Sequence, residues 1–514
     1  MRVGLITFDF PPQYRRADVA TKATATDSPL RRLLQARGAD VVAPLAELAA
    51  ADPRASGGIR DTRDIARCVD ALRTARVECL VLDIFHWARM ALARQLVTEM
   101  DLPTAVYANT GEGWNGVPSA TAICGTLREV PRSRNAALAE AFLDTEDPAD
   151  LLRWITGASA LARMRRSRVM LWGGSYGAEM PYTRSDPAAF EAGLLAEVMA
   201  EQEEVLVAAA RAIQARDAAR VETFLRWMEA NGIVVRYDGR MLTKESLGFQ
   251  VALYLAARDR LTALSDEAIS GAAIKCHYEM SIACQGCTSC LLPAFLPFAH
   301  DAEGPQVVVP FACEGDLNGL AGLVLLHALN PAVPPLFGDL VAYAKDHVLL
   351  RNCGASSVYW AGRSSEPARN LARIRLEPNM HGKSGAAVHY ETPGCDALEA
   401  GAGGVTFLRL FREGGRLAAL VGEGRVLAAD RAPHYADPWP HTRLALGVSA
   451  ALLVRAIPCN HGSLTEGRLA QELEVFCAHA GIPLYRCDDN DGLQALLRAR
   501  RRGRVGNEDA GWRR

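Results

Sequence analysis

One stretch, residues 308–340 (VVPFACEGDLNGLAGLVLLHALNPAVPPLFGDL), constrains the chain most. Val307 to Phe311 is a short, β-branched run that ends in Ala312-Cys313. Glu314 and Asp316 follow at once, with Gly315 and Gly319 loosening the turn. Leu320 to Leu329 is an apolar helix by length and content, Pro334 to Phe337 reads as a second short strand, and Asp339 sits just past its end. Strand, helix and strand at this spacing predict a βαβ unit. Parallel strands put their C-terminal ends on one sheet edge. Glu314 and Asp339 are therefore expected to face one crevice, where open α/β sheets bind ligands. Two carboxylates in a crevice repel and need a proton or a cation to coexist. A hard divalent metal is the simplest answer. His461, in PCNHGSLTEG, is the third candidate ligand. Taken singly, an acidic strand-end residue is more often solvated or a helix cap, and a lone histidine is more often structural. The combination carries the metal reading. Asp316 is expected to cap the Leu320 helix, and Asp316→Asn to be mild.

A chain of 514 residues exceeds one ordinary core, so two or three domains are expected. A net charge of −2 gives no reason to expect a nucleic-acid or membrane partner. The basic end, RARRRGRVGNEDAGWRR (498–514), reads as a solvated tail. MRVGLITFDFPP is a strand meeting a diproline rather than a secretion signal, and no apolar run reaches a membrane span. The 13 cysteines are odd in number and widely spread, which reads as reduced thiols in a cytoplasmic protein.

Strands RVGLITF (2–8), one beginning at Asp40, CLVLD (79–83) and 102–107 alternate with helices. That pattern predicts a doubly wound parallel sheet for a first domain, 1–168. Arg16, Trp87 and Trp114 sit beyond strand ends there. Arg16 and Trp87 are candidate sugar contacts, because a guanidinium bonds hydroxyls and an indole face packs on apolar C–H surface. A second α/β domain is expected over 169–345. It opens with VMLWGGSYG, whose glycines read as a tight turn rather than a phosphate loop, since the spacing is not G-x-G-x-x-G. Residues 188–231 read as long helical sequence, and the strand Ala273–Cys276 ends at His277-Tyr278-Glu279, which could border the same crevice. The loop CQGCTSC places Cys284, Cys287 and Cys290 at two C-x-x-C steps. With Cys276 or Cys313 as a fourth ligand it could hold zinc or an iron–sulfur cluster; small thiols that simply pack are the commoner outcome. Beyond 345, short strands at 348–350 and 357–361 and a hairpin turning at Gly414-Gly415 predict a β-rich third domain, 346–514, with some helix around 468–480. The expected fold is thus α/β: two doubly wound parallel-sheet domains followed by a β-rich C-terminal domain, with the site at an interdomain cleft.

CEGDLNGL (313–320), FGDL (337–340), VLLRNCGAS (348–356) and CNHGSLTEGRLAQELEVFCAHAGIP (459–483) resemble the L-fucose isomerase family. VMLWGGSYGAEM (169–180) and DLPTAVYANTGEGWNGVPSATAICGTL (101–127) extend the resemblance upstream. It implies a metal-dependent aldose–ketose isomerase, typically using manganese and no cysteine cluster. It also implies a homo-oligomer, often a hexamer, in which first-domain residues complete a neighbour's site. The chemistry expected is sugar isomerisation through a cis-enediol. Glu314 and Asp339 would be metal ligands that also carry the proton, and His461 the nitrogen ligand. Asn460 is a candidate substrate contact, Trp439 a candidate pocket wall and His441 a weaker fourth ligand. The competing readings are a catalytically silent sugar-binding or regulatory paralogue, and a metal-cluster protein built on Cys284, Cys287 and Cys290.

Overall fold

The computed structural model describes residues 1–514 apart from 11–26, 53–54, 112–115, 131–132, 176, 285, 345, 395–403, 429–437, 504 and 506–514. The chain divides into two compact units, Met1–Arg163 with Gln471–Gly481, and Met164–Ala470 with Ile482–Arg514.

The first unit is built on five parallel strands in the order Asp40–Val42, Arg2–Thr7, Cys79–Ile84, Thr104–Ala108, Glu140–Leu143. Strand residues alternate between two apolar clusters: Leu80, Leu82 and Val106 on one face, Cys79, Val81 and Ala105 on the other. Both faces are buried, so the strands read as continuous apolar runs, as a parallel sheet between helices requires. The helix Ala470–Ala480, expected in the C-terminal domain, packs almost entirely in this unit. Arg134 Nε donates to the Ala478 carbonyl at 2.7 Å, and His479 Nδ1 meets Asn135 Oδ1 at 3.0 Å.

The second unit combines two larger sheets. The first is parallel, in the order Phe311–Ala312, Ile269–Ile274, Arg168–Trp172, Glu197–Glu201. Glu197–Glu201 interrupts the sequence read as helical over 188–231. The second has seven strands: Val405–Glu413, His461–Glu466, Leu336–Tyr343, Val348–Arg351, His441–Ala445, Arg416–Leu427, Leu484–Arg486. Val405–Glu413 also pairs with Arg416–Leu427, which closes the first six strands into an antiparallel barrel. The expected hairpin turns at Gly414 and Gly415 with φ of +61° and +82°, the two left-handed positions a two-residue hairpin turn needs.

The βαβ unit is not formed. Its first strand joins the parallel sheet, whereas Leu336–Tyr343 runs antiparallel to both barrel neighbours, with Asp339 inside it. Position 345 thus separates two paired strands of one sheet. Residues 358–361 form a 3-10 turn rather than a strand. The helix between the two sheets, Leu317–Leu329, is apolar on every side. Such a helix has to be buried, and it packs on Ile269–Ile274 as well as on Val405–Glu413 and His461–Glu466. Its N-terminus is thereby held where the parallel sheet and the barrel meet. Among the described residues, no helix is long and apolar enough to cross a membrane.

Candidate active site

Glu314 lies between the Phe311–Ala312 strand and the central helix, with φ of +59°. That left-handed conformation costs a residue with a side chain about 1–3 kcal/mol and persists only where its surroundings fix it. They do so through the backbone. Gly315 N donates to Ile274 O at 2.9 Å, and Gly177 N donates to Glu314 O at 2.8 Å. A Cβ on Gly177 would come within 2.4 Å of that same carbonyl. Gly177 therefore serves close approach to the Glu314 turn.

Two residues on, Asp316 caps the central helix by accepting from Gly319 N at 3.0 Å. The cap is only part of its role. Asp316 is fully buried, pairs with the equally buried Arg409 at 3.2 Å (Nη2 to Oδ1), and faces His461 Nδ1 at 2.8 Å. A carboxylate only accepts, so Nδ1 carries the proton and Nε2 is turned toward Glu314 and Asp339. Asp316 thus caps the helix as expected and also holds the histidine ring, so a substitution there is not expected to be mild. Arg409 was missed, yet it carries a signal, a lone cation in the apolar strand VTFLRLF.

His461 opens its strand directly across from Asp339 in the ladder. Its Nε2 lies 2.8 Å from Glu314 Oε2 and 3.3 Å from Asp339 Oδ1. Three of the sequence-selected residues thus converge, although they come from a strand-end turn and two barrel strands. Burial opposes a charge on His461, but Asp339, Asp316 and Glu314 outweigh it and raise its pKa well above the usual histidine range. Burial likewise opposes ionisation of Asp316, yet Arg409 and His461 hold its carboxyl well below the ordinary range. At Glu314 burial is outweighed by His461 and His277, and the pKa falls.

The contact between Glu314 Oε2 and His461 Nε2 is close but not aimed as a hydrogen bond, and neither atom has a hydrogen-bond partner among the described residues. Two buried polar atoms that lie together without an aimed hydrogen bond are a candidate pair of metal ligands. One nitrogen with carboxylate oxygens is a donor set that suits manganese better than calcium.

These groups open on a cavity of about 370 Å³ lined by Glu314, Asp339, Asn460, Trp439, Arg351 and His277, among others. Asn460 Nδ2 donates to Asp339 Oδ1, and its Oδ1 accepts from the Tyr182 hydroxyl. Trp439 is buried, with the Arg351 guanidinium 4.5 Å from its ring centroid and His381 edge-on at the same distance. A larger hollow in the first unit, about 560 Å³, is lined by Glu140, Glu146, Asp150 and Glu474. Its size does not make it the site, because the strained turn and the converging ligands lie elsewhere.

Among the described side chains, none of the remaining candidate ligands or sugar contacts lines this cavity. Arg16 and Trp114 lie outside the described residues. Trp87 is 41% exposed on the first unit. His441 Nδ1 meets Glu391 at 2.9 Å, away from the convergent ligands. Cys290 accepts from Asn379 at 3.1 Å, whereas Cys287 faces the carbonyls of Ser246 and Thr288; the Cys284 side chain lies outside the described residues.

The second unit thus brings a parallel sheet and an antiparallel barrel together around two carboxylates and a histidine. Residues 350–487 match the family model for the L-fucose isomerase C-terminal domain. His461, Asn460 and Trp439 fall inside the matched segment; Glu314, Asp316 and Asp339 precede it. No curated protein matches the chain at a significant level.

Proposed function

We propose that the protein is a metal-dependent aldose–ketose isomerase that interconverts an open-chain aldose and its ketose through a cis-enediol. One observation carries the reading: buried Glu314 Oε2 and His461 Nε2, with no hydrogen bond between them, converge beside Asp339, and Glu314 and Asp339 line a sugar-sized cavity. Glu314, Asp339 and His461 would hold the ion, Mn²⁺ by preference. Bound there, the ion would stabilise the negative charge that develops on the sugar's O1 and O2.

The chain's own groups do the rest. Asp316 holds the proton on His461 Nδ1 and so keeps Nε2 as the ligand atom. Asn460 fixes Asp339 Oδ1, which leaves Oδ2 to face the sugar. Glu314 and Asp339 move the proton between C2 and C1. Trp439, stiffened by Arg351 and His381, offers an apolar face to the sugar's C–H groups. L-fucose, D-arabinose and an anionic hexose all suit this arrangement.

We further propose a cytoplasmic homo-oligomer in which the 1–168 segment, through Arg16 and Trp87, completes a neighbour's site formed by 169–345 and 346–514. The test is a panel of unmodified aldoses assayed for ketose, with Mn²⁺ and after chelation. Ketose formation that vanishes on chelation and returns with Mn²⁺ is expected. Tight sugar binding without turnover at any metal content would instead identify a silent sugar-binding paralogue. A fully active monomer would refute the shared site.

A further inference from the structure

The same cavity is lined by a second set of metal donors. One ligand atom each of His277, Glu314 and Cys353 lies within 4.8 Å of the others. The two oxygens of Glu314 face different partners: Oε2 lies against His461, whereas Oε1 accepts the Cys353 thiol at 3.4 Å. Tetrahedral zinc, with bonds of about 2.3 Å to sulfur and about 2.1 Å to oxygen, would set those atoms roughly 3.6 Å apart. The observed thiol hydrogen bond therefore holds the two atoms close to the spacing of two ligands on one ion.

The neighbours hold this arrangement. Ser281 Oγ meets His277 Nδ1 at 2.8 Å and fixes the ring. Cys313 lies behind Cys353, in thiol contact with it, and is itself held by Asn352 Nδ2 at 3.2 Å. Imidazole, thiolate and one carboxylate oxygen select a different metal from the oxygen-rich set around His461. Thiolate favours zinc, cobalt or cadmium and disfavours manganese and magnesium.

We propose that His277, Glu314 and Cys353 form a second metal site, for a thiophilic divalent ion, bridged through Glu314 to the Glu314–Asp339–His461 centre. The bridging rests on the assignment of Glu314 given under Proposed function; the thiophilic site itself does not. Binding exchanges the Cys353 thiol proton for the ion and releases that proton to solvent. A filled second site draws charge from Glu314 and so blunts it as a proton carrier. The site would thus make zinc and cadmium inhibitors of a manganese enzyme.

The experiment uses the full chain, stripped by a chelator and titrated with Co²⁺, with sulfur-to-cobalt charge-transfer absorption as the readout. Wild type should develop the band. Cys353→Ser should lose it, with an affinity loss beyond the roughly 10–100-fold typical of removing an outer ligand partner. His461→Ala should keep it. In wild type, Cd²⁺ should protect the Cys353 peptide from alkylation by iodoacetamide, a measurement that needs no variant. Absence of the band in wild type, its survival in Cys353→Ser, or alkylation unaffected by Cd²⁺ would overturn the proposal. Loss of the band together with intact Mn²⁺-dependent turnover refutes the second site alone. A band in the cobalt titration, with no aldose turnover by a separate sample loaded with Mn²⁺ alone, refutes the isomerase reading alone.

Discussion

Replacing Asp316 by asparagine separates two accounts of the site. If Asp316 only capped a helix, asparagine would serve nearly as well, because both residues cap efficiently. Its surroundings say otherwise. Asp316 and Arg409 are 0% and 1% exposed, and Asp316 also takes the Nδ1 proton of His461. Asparagine keeps one acceptor oxygen but removes the charge, so Arg409 is left as an uncompensated buried cation. Breaking a buried pair from one side costs about 3–5 kcal/mol. Loss of the charged partner of His461 should further weaken metal binding by roughly 10–100-fold. Denaturant unfolding should show the first effect and equilibrium Mn²⁺ titration the second. The double variant Asp316→Asn/Arg409→Met should recover part of the stability, since it removes the stranded charge, but not the metal affinity. A stability loss below about 1 kcal/mol with unchanged Mn²⁺ affinity would refute the argument, because it would mean that Arg409 and His461 do not depend on this carboxylate.

Glu314→Gln preserves size but removes charge and basicity; turnover should fall by about 10²–10⁴-fold with the circular dichroism unchanged, and a near-normal rate would exclude Glu314 as a proton carrier. His461 is raised in the metal-free protein and must be neutral at Nε2 to ligate, so Mn²⁺ affinity should climb with pH by about tenfold per unit while the ring remains protonated. Potentiometric titration should detect proton release on binding, and affinity independent of pH would contradict this. Trp439→Ala should raise KM more than it lowers kcat, because it removes an apolar wall and no reacting group; an equal loss in kcat would place the indole closer to the chemistry. Trp87→Ala should lower turnover without altering Mn²⁺ affinity if first-unit residues complete a neighbour's site, which steady-state kinetics and metal titration read separately.

Much of the site was legible in local sequence, because ligands announce themselves by residue type and by their place at strand ends. Glu314 and His461, which the structure brings together, stand out in this way, and the parallel first sheet and the Gly414-Gly415 turn are specified by short-range rules. Asp339 was chosen for a reason the structure does not share. It is not past the end of a parallel strand but inside an antiparallel one, paired with His461. A short apolar run such as Leu336–Phe337 suits either kind of sheet, since its residues dictate which faces are buried and not which strand lies alongside. Only tertiary structure could decide that. The same holds for Arg409 beneath Asp316 and for Cys353 beside Glu314. These contacts join residues separated by 93 and 39 positions, and they exist because the barrel and the parallel sheet pack on opposite sides of one buried helix. The sequence by itself determined the chemistry available to the site. The packing of that apolar helix between two sheets determined which groups meet, because contacts so distant along the chain form only once the helix has buried both of its faces.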